Sequence, residues 1–147
     1  MNRERLIFDW VLINKLAVGS KPIDKSDILF LEKKGIKSIL NLCEEEEAPF
    51  VETSRLKFIR CTLPDHKKKE IITIQEIKNA LIYLEDLLNH GPVFVHCYAS
   101  VERSPLICTA WLIKKLNIKL IVALDYMKQI HKETNPLSEQ IEKLKFI

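Results

Sequence analysis

The sequence predicts an α/β fold: a central, mostly parallel sheet of about four to five strands flanked by helices. Three features lead there. Short apolar runs alternate with stretches of helical period along all 147 residues, the order from which parallel sheets are built. Val93-Phe94-Val95 has no polar face, as suits a strand covered on both sides. Thr73 and Glu76 form a capping box ahead of apolar residues at Ile74, Ile77, Leu81, Leu84 and Leu88, which marks the start of an amphipathic helix.

The elements follow in order. Trp10 to Val18 is apolar enough for one or two short strands, closed by a turn at Gly19-Ser20-Lys21-Pro22. Ser26 to Lys34 reads as a helix stopped by Gly35, and Ile36 to Leu42 as the next strand. The charge run Glu44 to Glu47 reads as a solvated loop. Lys57 to Leu63 is a further strand, ending at Pro64-Asp65. The Thr73 helix stops at Gly91-Pro92, and Val93 to Val95 enters the sheet. A loop then leads to Ser104-Pro105, a helix cap and first helical residue. Leu106 to Leu116 is apolar on nearly every side and should be buried; Lys119 to His131 and Pro136 to Lys145 complete the set as helices. One domain over residues 1–147 fits this length.

Composition narrows the function classes. A formal charge of +3 is too mild to argue for nucleic acid. Arg3, Glu4, Arg5 and Asp9 leave no uncharged stretch for a signal peptide, and no apolar run is long enough for a bilayer. Cys43, Cys61, Cys97 and Cys108 are scattered, so reduced thiols in a cytoplasm are expected. His66, His90, His96 and His131 do not fall at zinc-ligand spacings from these cysteines. No metal or other cofactor is expected.

The stretch His96-Cys97-Tyr98-Ala99-Ser100-Val101-Glu102-Arg103-Ser104 carries the chemistry. A strand precedes it and a helix follows. The backbone N–H groups of such a loop can ring a tetrahedral dianion, with the arginine forked onto two of its oxygens and the cysteine facing phosphorus. A cysteine six residues before an arginine recurs by chance; the strand, histidine, serine and helix start around this pair make it specific. The competing reading is a buried, inert Cys97.

A free thiol ionises only at about pH 8.5, and loop N–H groups, a helix N-terminus and a guanidinium all favour the thiolate. Cys97 is therefore a credible nucleophile for a phosphate monoester. The leaving oxygen needs a proton. Asp65, at the end of a strand that can neighbour the cysteine strand, can give it and later serve as base toward water. Its other reading is a turn cap, and His66 is a rival donor. His96 orients the loop by hydrogen bonding. Ser104 stabilises the departing thiolate or caps the helix, and one hydroxyl can do both.

In these residues the chain resembles the cysteine-dependent protein phosphatases, specifically the small dual-specificity branch. The matching pieces are His96-Cys97 with Arg103-Ser104, Asp65 thirty-two residues before the cysteine, and Gly35-Ile36-Lys37-Ser38-Ile39-Leu40-Asn41-Leu42. Leu16-Ala17-Val18-Gly19-Ser20 and Asn135-Pro136 with Gln140 match more weakly. The resemblance implies a phosphatase with Cys97 as nucleophile, Arg103 as phosphate clamp and Asp65 as general acid, needing no metal. Two positions depart from the family's pattern. Ser100 stands where glycine is usual, and Glu102 sets a carboxylate beside the dianion site and must point away from it.

Tyr98 and Ala99 add no charge to the loop, which favours phosphotyrosine, with phosphoserine and phosphothreonine also open, on a phosphorylated protein partner. A monomer is expected, with neither nucleic acid nor a membrane span. Lys67-Lys68-Lys69 keeps open a polyanionic substrate, a phosphoinositide or an RNA 5′ end, although a solvated lysine run explains it equally. A weakly active domain that binds phosphoproteins is the third reading. Cys43, at the end of the Ile36 strand, is a candidate disulfide partner for an oxidised Cys97, or a plain buried thiol.

Overall fold

The computed structural model describes residues 5–49, 51–52, 55–68 and 70–147. The His66 side chain, Lys69, Arg3 and Glu4, all named above, lie outside the described residues. Among those described, strands β1 (Phe8–Leu12), β2 (Leu16–Gly19), β3 (Ser38–Asn41), β4 (Lys57–Arg60) and β5 (Val93–His96) form one sheet in the order β1-β2-β5-β3-β4. The β1–β2 pair is antiparallel and every other pair is parallel. The apolar run from Trp10 is thus a hairpin, and its turn includes Asn14 at φ 60, a left-handed position asparagine tolerates.

Helices α1 (Lys25–Lys33), α2 (Ile74–Leu88), α3 (Arg103–Leu116), α4 (Leu120–Ile130) and α5 (Ser138–Lys143) cover both faces. Alternation along the strands divides the core. Leu16, Val18, Leu40, Val93 and Val95 face α2, α3 and α4, while Ala17, Ile39 and Phe94 face Ile28 and Leu31 of α1. Strand β5 is fully buried at the sheet centre, which is why its sequence carries no polar face. Gly19 ends β2 where only a glycine fits: a Cβ there would lie 1.9 Å from the Ile7 carbonyl oxygen and 2.7 Å from the Phe94 ring.

Helix starts show how side chains divide their duties. Asp24 caps α1, accepting from Ser26 N and Asp27 N, so the helix begins at Lys25, one residue ahead of the start at Ser26 that the sequence suggests. The Thr73–Glu76 box opens α2 as expected. The start of α3 differs. Glu102 is its N-cap and Ser104 already lies within the helix. Ser104 is therefore no cap; its hydroxyl is spent on the loop before the helix. Pro105 still falls in the first turn, where its missing N–H removes no helical bond.

The register aligns Gly19 and Asn41 with His96. Three parallel strands therefore end at one level, and Cys97 leaves the sheet there. Ligands of open α/β sheets gather at that edge.

Candidate active site

The loop from Cys97 to Glu102 is held by its carbonyls. His96 Nδ1 donates to the Cys97 carbonyl at 3.0 Å, Lys21 N to the Tyr98 carbonyl at 3.2 Å, and His131 Nε2 to the Ser100 carbonyl at 2.8 Å. Asn135 N donates to the Val101 carbonyl at 2.8 Å. In a trans peptide the C=O and the next N–H point oppositely. Carbonyls drawn outward from four positions therefore turn the following amides toward the middle of the loop, the arrangement of an anion cradle.

Cys97 and Arg103 both line the pocket this loop encloses, about 340 Å³ in volume, together with Asp65, Tyr98 and Glu47. Ser104, fully buried, lies with its Oγ 3.2 Å from the Cys97 sulfur, and Ser100 Oγ lies 3.2 Å from Ser104 Oγ. Burial lowers the His96 imidazole to about 4; the Cys97 carbonyl opposes this, and Arg60, Arg103 and Lys21 reinforce it. The ring is thus neutral near pH 7 and serves as a donor to the loop.

Asp65 makes the turn contact and also stands where a proton donor would be needed. Its Oδ1 accepts from Lys67 N at 3.1 Å, capping a short turn of 3-10 helix at His66–Lys68, and the same residue borders the pocket that holds Cys97. Gln140 Nε2 donates to Glu102 Oε1 at 3.3 Å, which draws that carboxylate toward α5 at the pocket rim.

The charge run Glu44 to Glu47 is more than a solvated loop. Glu47 turns inward and takes a bidentate pair of hydrogen bonds from Arg103, Nη1 to Oε2 at 3.0 Å and Nη2 to Oε1 at 3.1 Å. Arg103 Nη1 also donates to the Leu63 carbonyl at 3.2 Å. A guanidinium has five N–H groups. With both Nη1 hydrogens and one of Nη2 engaged, the remaining pair lies on the Nε/Nη2 edge, a fork that suits two phosphate oxygens. Glu47 thereby fixes the orientation of the guanidinium.

Burial opposes ionisation of Glu47, yet hydrogen bonds from Arg103 and the Glu44 backbone, with the charge of Arg103, outweigh it and hold the carboxyl below its usual range. A depressed carboxylate stabilises the fold above its unfolded pKa, about 4.3, and that contribution is lost only as pH falls through the lower folded value. The Glu47–Arg103 pair therefore stays ionised at any pH near neutrality. Glu47→Gln is expected to lower kcat/KM for an aryl phosphate about tenfold, mainly through KM; unchanged kinetics would leave Glu47 without this role.

Cys43 is buried at the end of β3, beside the strand that delivers Cys97. Burial pushes its thiol up to about 12, with Arg103 opposing. Burial also drives the Cys108 thiol upward, on the α3 side of the loop. Outside the pocket, Asp9, His131 and Glu133 bring ligand-type atoms within 4.8 Å of one another. The Nδ1–Oδ2 contact of His131 with Asp9 is 2.6 Å, a hydrogen-bond length that places a proton between them.

The family model of the dual specificity phosphatase catalytic domain matches residues 18–146. The chain belongs to that family. Human dual specificity protein phosphatase 6 is 27% identical over 114 residues, 77% of this chain and 29% of the relative. Mouse dual specificity protein phosphatase 2 is 31% identical over 105 residues, 71% of this chain and 32% of the relative. The chain thus spans about a third or less of these relatives. Tk-PTP in its active form superposes with a TM-score of 0.81 at 19% identity, over 94% of this chain and 93% of that one. PTPMT1 in complex with PI(5)P gives 0.80 at 20% identity, over 94% and 92%. A human tyrosine phosphatase-like serine/threonine/tyrosine-interacting protein gives 0.80 at 22% identity, over 96% and 95%. These structures share the fold of this chain.

Proposed function

We propose that this chain hydrolyses phosphate monoesters on proteins, phosphotyrosine foremost and phosphoserine or phosphothreonine in addition, through a phosphocysteine intermediate. The observation that carries the reading is the loop whose carbonyls are tied outward around a pocket shared by Cys97, Arg103 and Asp65. The Cys97 sulfur attacks phosphorus while the ester P–O bond breaks. Asp65 passes a proton to the leaving oxygen. Water then attacks phosphorus and gives its proton to Asp65; the S–P bond breaks, phosphate is released, and Ser104 donates to the departing thiolate.

Charge around the pocket supports a protein substrate. Among the described residues that line the pocket, Arg103, Lys67 and Lys68 are matched by Glu47, Asp65 and Glu102, and Lys68 is paired with Glu44. A rim so balanced offers a second phosphate little attraction. The exposed Tyr98 ring, with Lys21 Nζ 4.0 Å from its centroid, gives a phosphotyrosyl ring an aromatic neighbour.

The test compares phosphotyrosyl and phosphoseryl peptides with phosphoinositide vesicles and a 5′-triphosphorylated RNA, at low and physiological salt. Peptide turnover that Lys67→Ala and Lys68→Ala change less than about threefold is expected. Turnover confined to vesicles or RNA, lost with salt and with those substitutions, would move the substrate to the polyanion class. Peptide binding without any hydrolysis would make the chain a phosphoprotein-binding domain.

Oxidation of Cys97 provides a further check. A thiol held protonated by burial attacks a sulfenic acid slowly, so Cys43 is expected to act as a structural thiol. Recovery from peroxide under added dithiothreitol should agree within about twofold between wild type and Cys43→Ser. Markedly poorer recovery in the variant would establish Cys43 as the disulfide partner.

A further inference from the structure

Ser100 has φ 64, a left-handed conformation that costs a residue with a side chain and costs glycine nothing. It is fully buried, so the loop must be held there by its surroundings. His131, which follows α4 and is also fully buried, supplies the hold. Its Nε2 lies 2.8 Å from the Ser100 carbonyl oxygen and 2.9 Å from Ser100 Oγ. Its Nδ1 lies 2.6 Å from Asp9 Oδ2 on β1, with Glu133 Oε2 at 3.5 Å. A carboxylate and a carbonyl only accept. Nε2 therefore donates toward the Ser100 carbonyl, and a proton bridges Nδ1 and the Asp9 carboxyl.

This fixes the direction of the chain beyond it. With Nε2 donating to Ser100, the Ser100 hydroxyl hydrogen is turned toward Ser104 Oγ, and that of Ser104 toward the Cys97 sulfur. Five residues, Asp9, His131, Ser100, Ser104 and Cys97, thus stand in one hydrogen-bonded line from a half-exposed strand carboxylate to the thiol.

We infer that His131, backed by Asp9, is a positioning residue that lets a serine occupy the left-handed corner of the phosphate loop and aims the Ser104 hydroxyl at Cys97. It acts through Ser100 and touches no substrate. The inference rests on the phosphate-loop reading above, and it concerns how this particular loop keeps its shape.

The test is a double-mutant cycle between His131→Leu and Ser100→Gly, read by kcat and KM on an aryl phosphate, by the rate of Cys97 alkylation at neutral pH, and by thermal melting. In the serine background, His131→Leu should lower kcat/KM about tenfold, mostly through KM, and slow alkylation, the effect expected of one strained residue released. In the glycine background the same substitution should cost under about twofold, because glycine holds the corner unaided. A melting temperature lowered equally in both backgrounds fits this result, since only the kinetic cost depends on residue 100. Equal kinetic costs in the two backgrounds, or no cost in the serine background, would overturn the inference. Should His131→Leu fail to fold, Asp9→Ala is read in the same cycle, with about a threefold loss expected in the serine background alone. Hydrolysis that survives Cys97→Ser would sink the phosphate-loop reading itself, whereas equal costs in an enzyme still dependent on Cys97 remove only the role of His131.

Discussion

Cys97→Ser is expected to remove aryl phosphate and phosphopeptide hydrolysis altogether, a loss on the order of 10⁴-fold or more, as when a covalent nucleophile is deleted elsewhere. The serine hydroxyl is nearly isosteric with the thiol, yet it has almost no anionic fraction at neutral pH. Its surroundings remain intact. Arg103 keeps its Glu47 and Leu63 partners, and the loop carbonyls keep theirs. The variant should therefore still bind phosphopeptide with an affinity within a few-fold of wild type. Binding measured by calorimetry beside turnover separates chemistry from recognition in one protein. Residual hydrolysis at a substantial fraction of wild type would remove the phosphocysteine step.

What could be read from the chain follows from how local each signal is. Val93 to Val95 reveals its place in the sheet because burial on both faces strips polar residues from a run of adjacent positions. The Cys97–Arg103 loop is legible for the same reason: cysteine, arginine and helix start lie within one short segment. Asp65 is readable as a strand-end carboxylate, and proximity in the fold adds the pocket.

Glu47 is different. Its partner lies fifty-six positions away, and four adjacent glutamates are locally indistinguishable from a solvated loop. The one available signal is physical: a largely buried arginine needs a counter-charge, and the sequence names no single candidate. His131 and Asp9 stand 122 positions apart. Only the serine at a glycine position hints that something must hold the loop. The start of α3 was obscured because Ser104-Pro105 has the form of a cap, while the hydroxyl is recruited by Ser100 and Cys97.

Asp65→Asn should cause the second large loss, and its size should depend on the leaving group. The amide oxygen can still accept from Lys67 N, the contact that Asp65 Oδ1 makes at 3.1 Å, so the short helical turn survives and the effect reports on proton transfer. A phosphotyrosyl peptide releases a poorly stabilised phenoxide and needs the proton in the transition state; kcat should fall about 10²- to 10³-fold, the range of general acid catalysis. A nitrophenyl or more acidic phenol departs with little help, so formation of the phosphocysteine should slow only several-fold for it. Water attack on that intermediate still lacks its base. Burst kinetics with the activated substrate should then show an initial release of phenol followed by a slow steady state, since the first step is spared and the second is not. A uniform loss across leaving groups, without a burst, would assign Asp65 to the turn alone and transfer the search for the acid to another residue at the pocket rim.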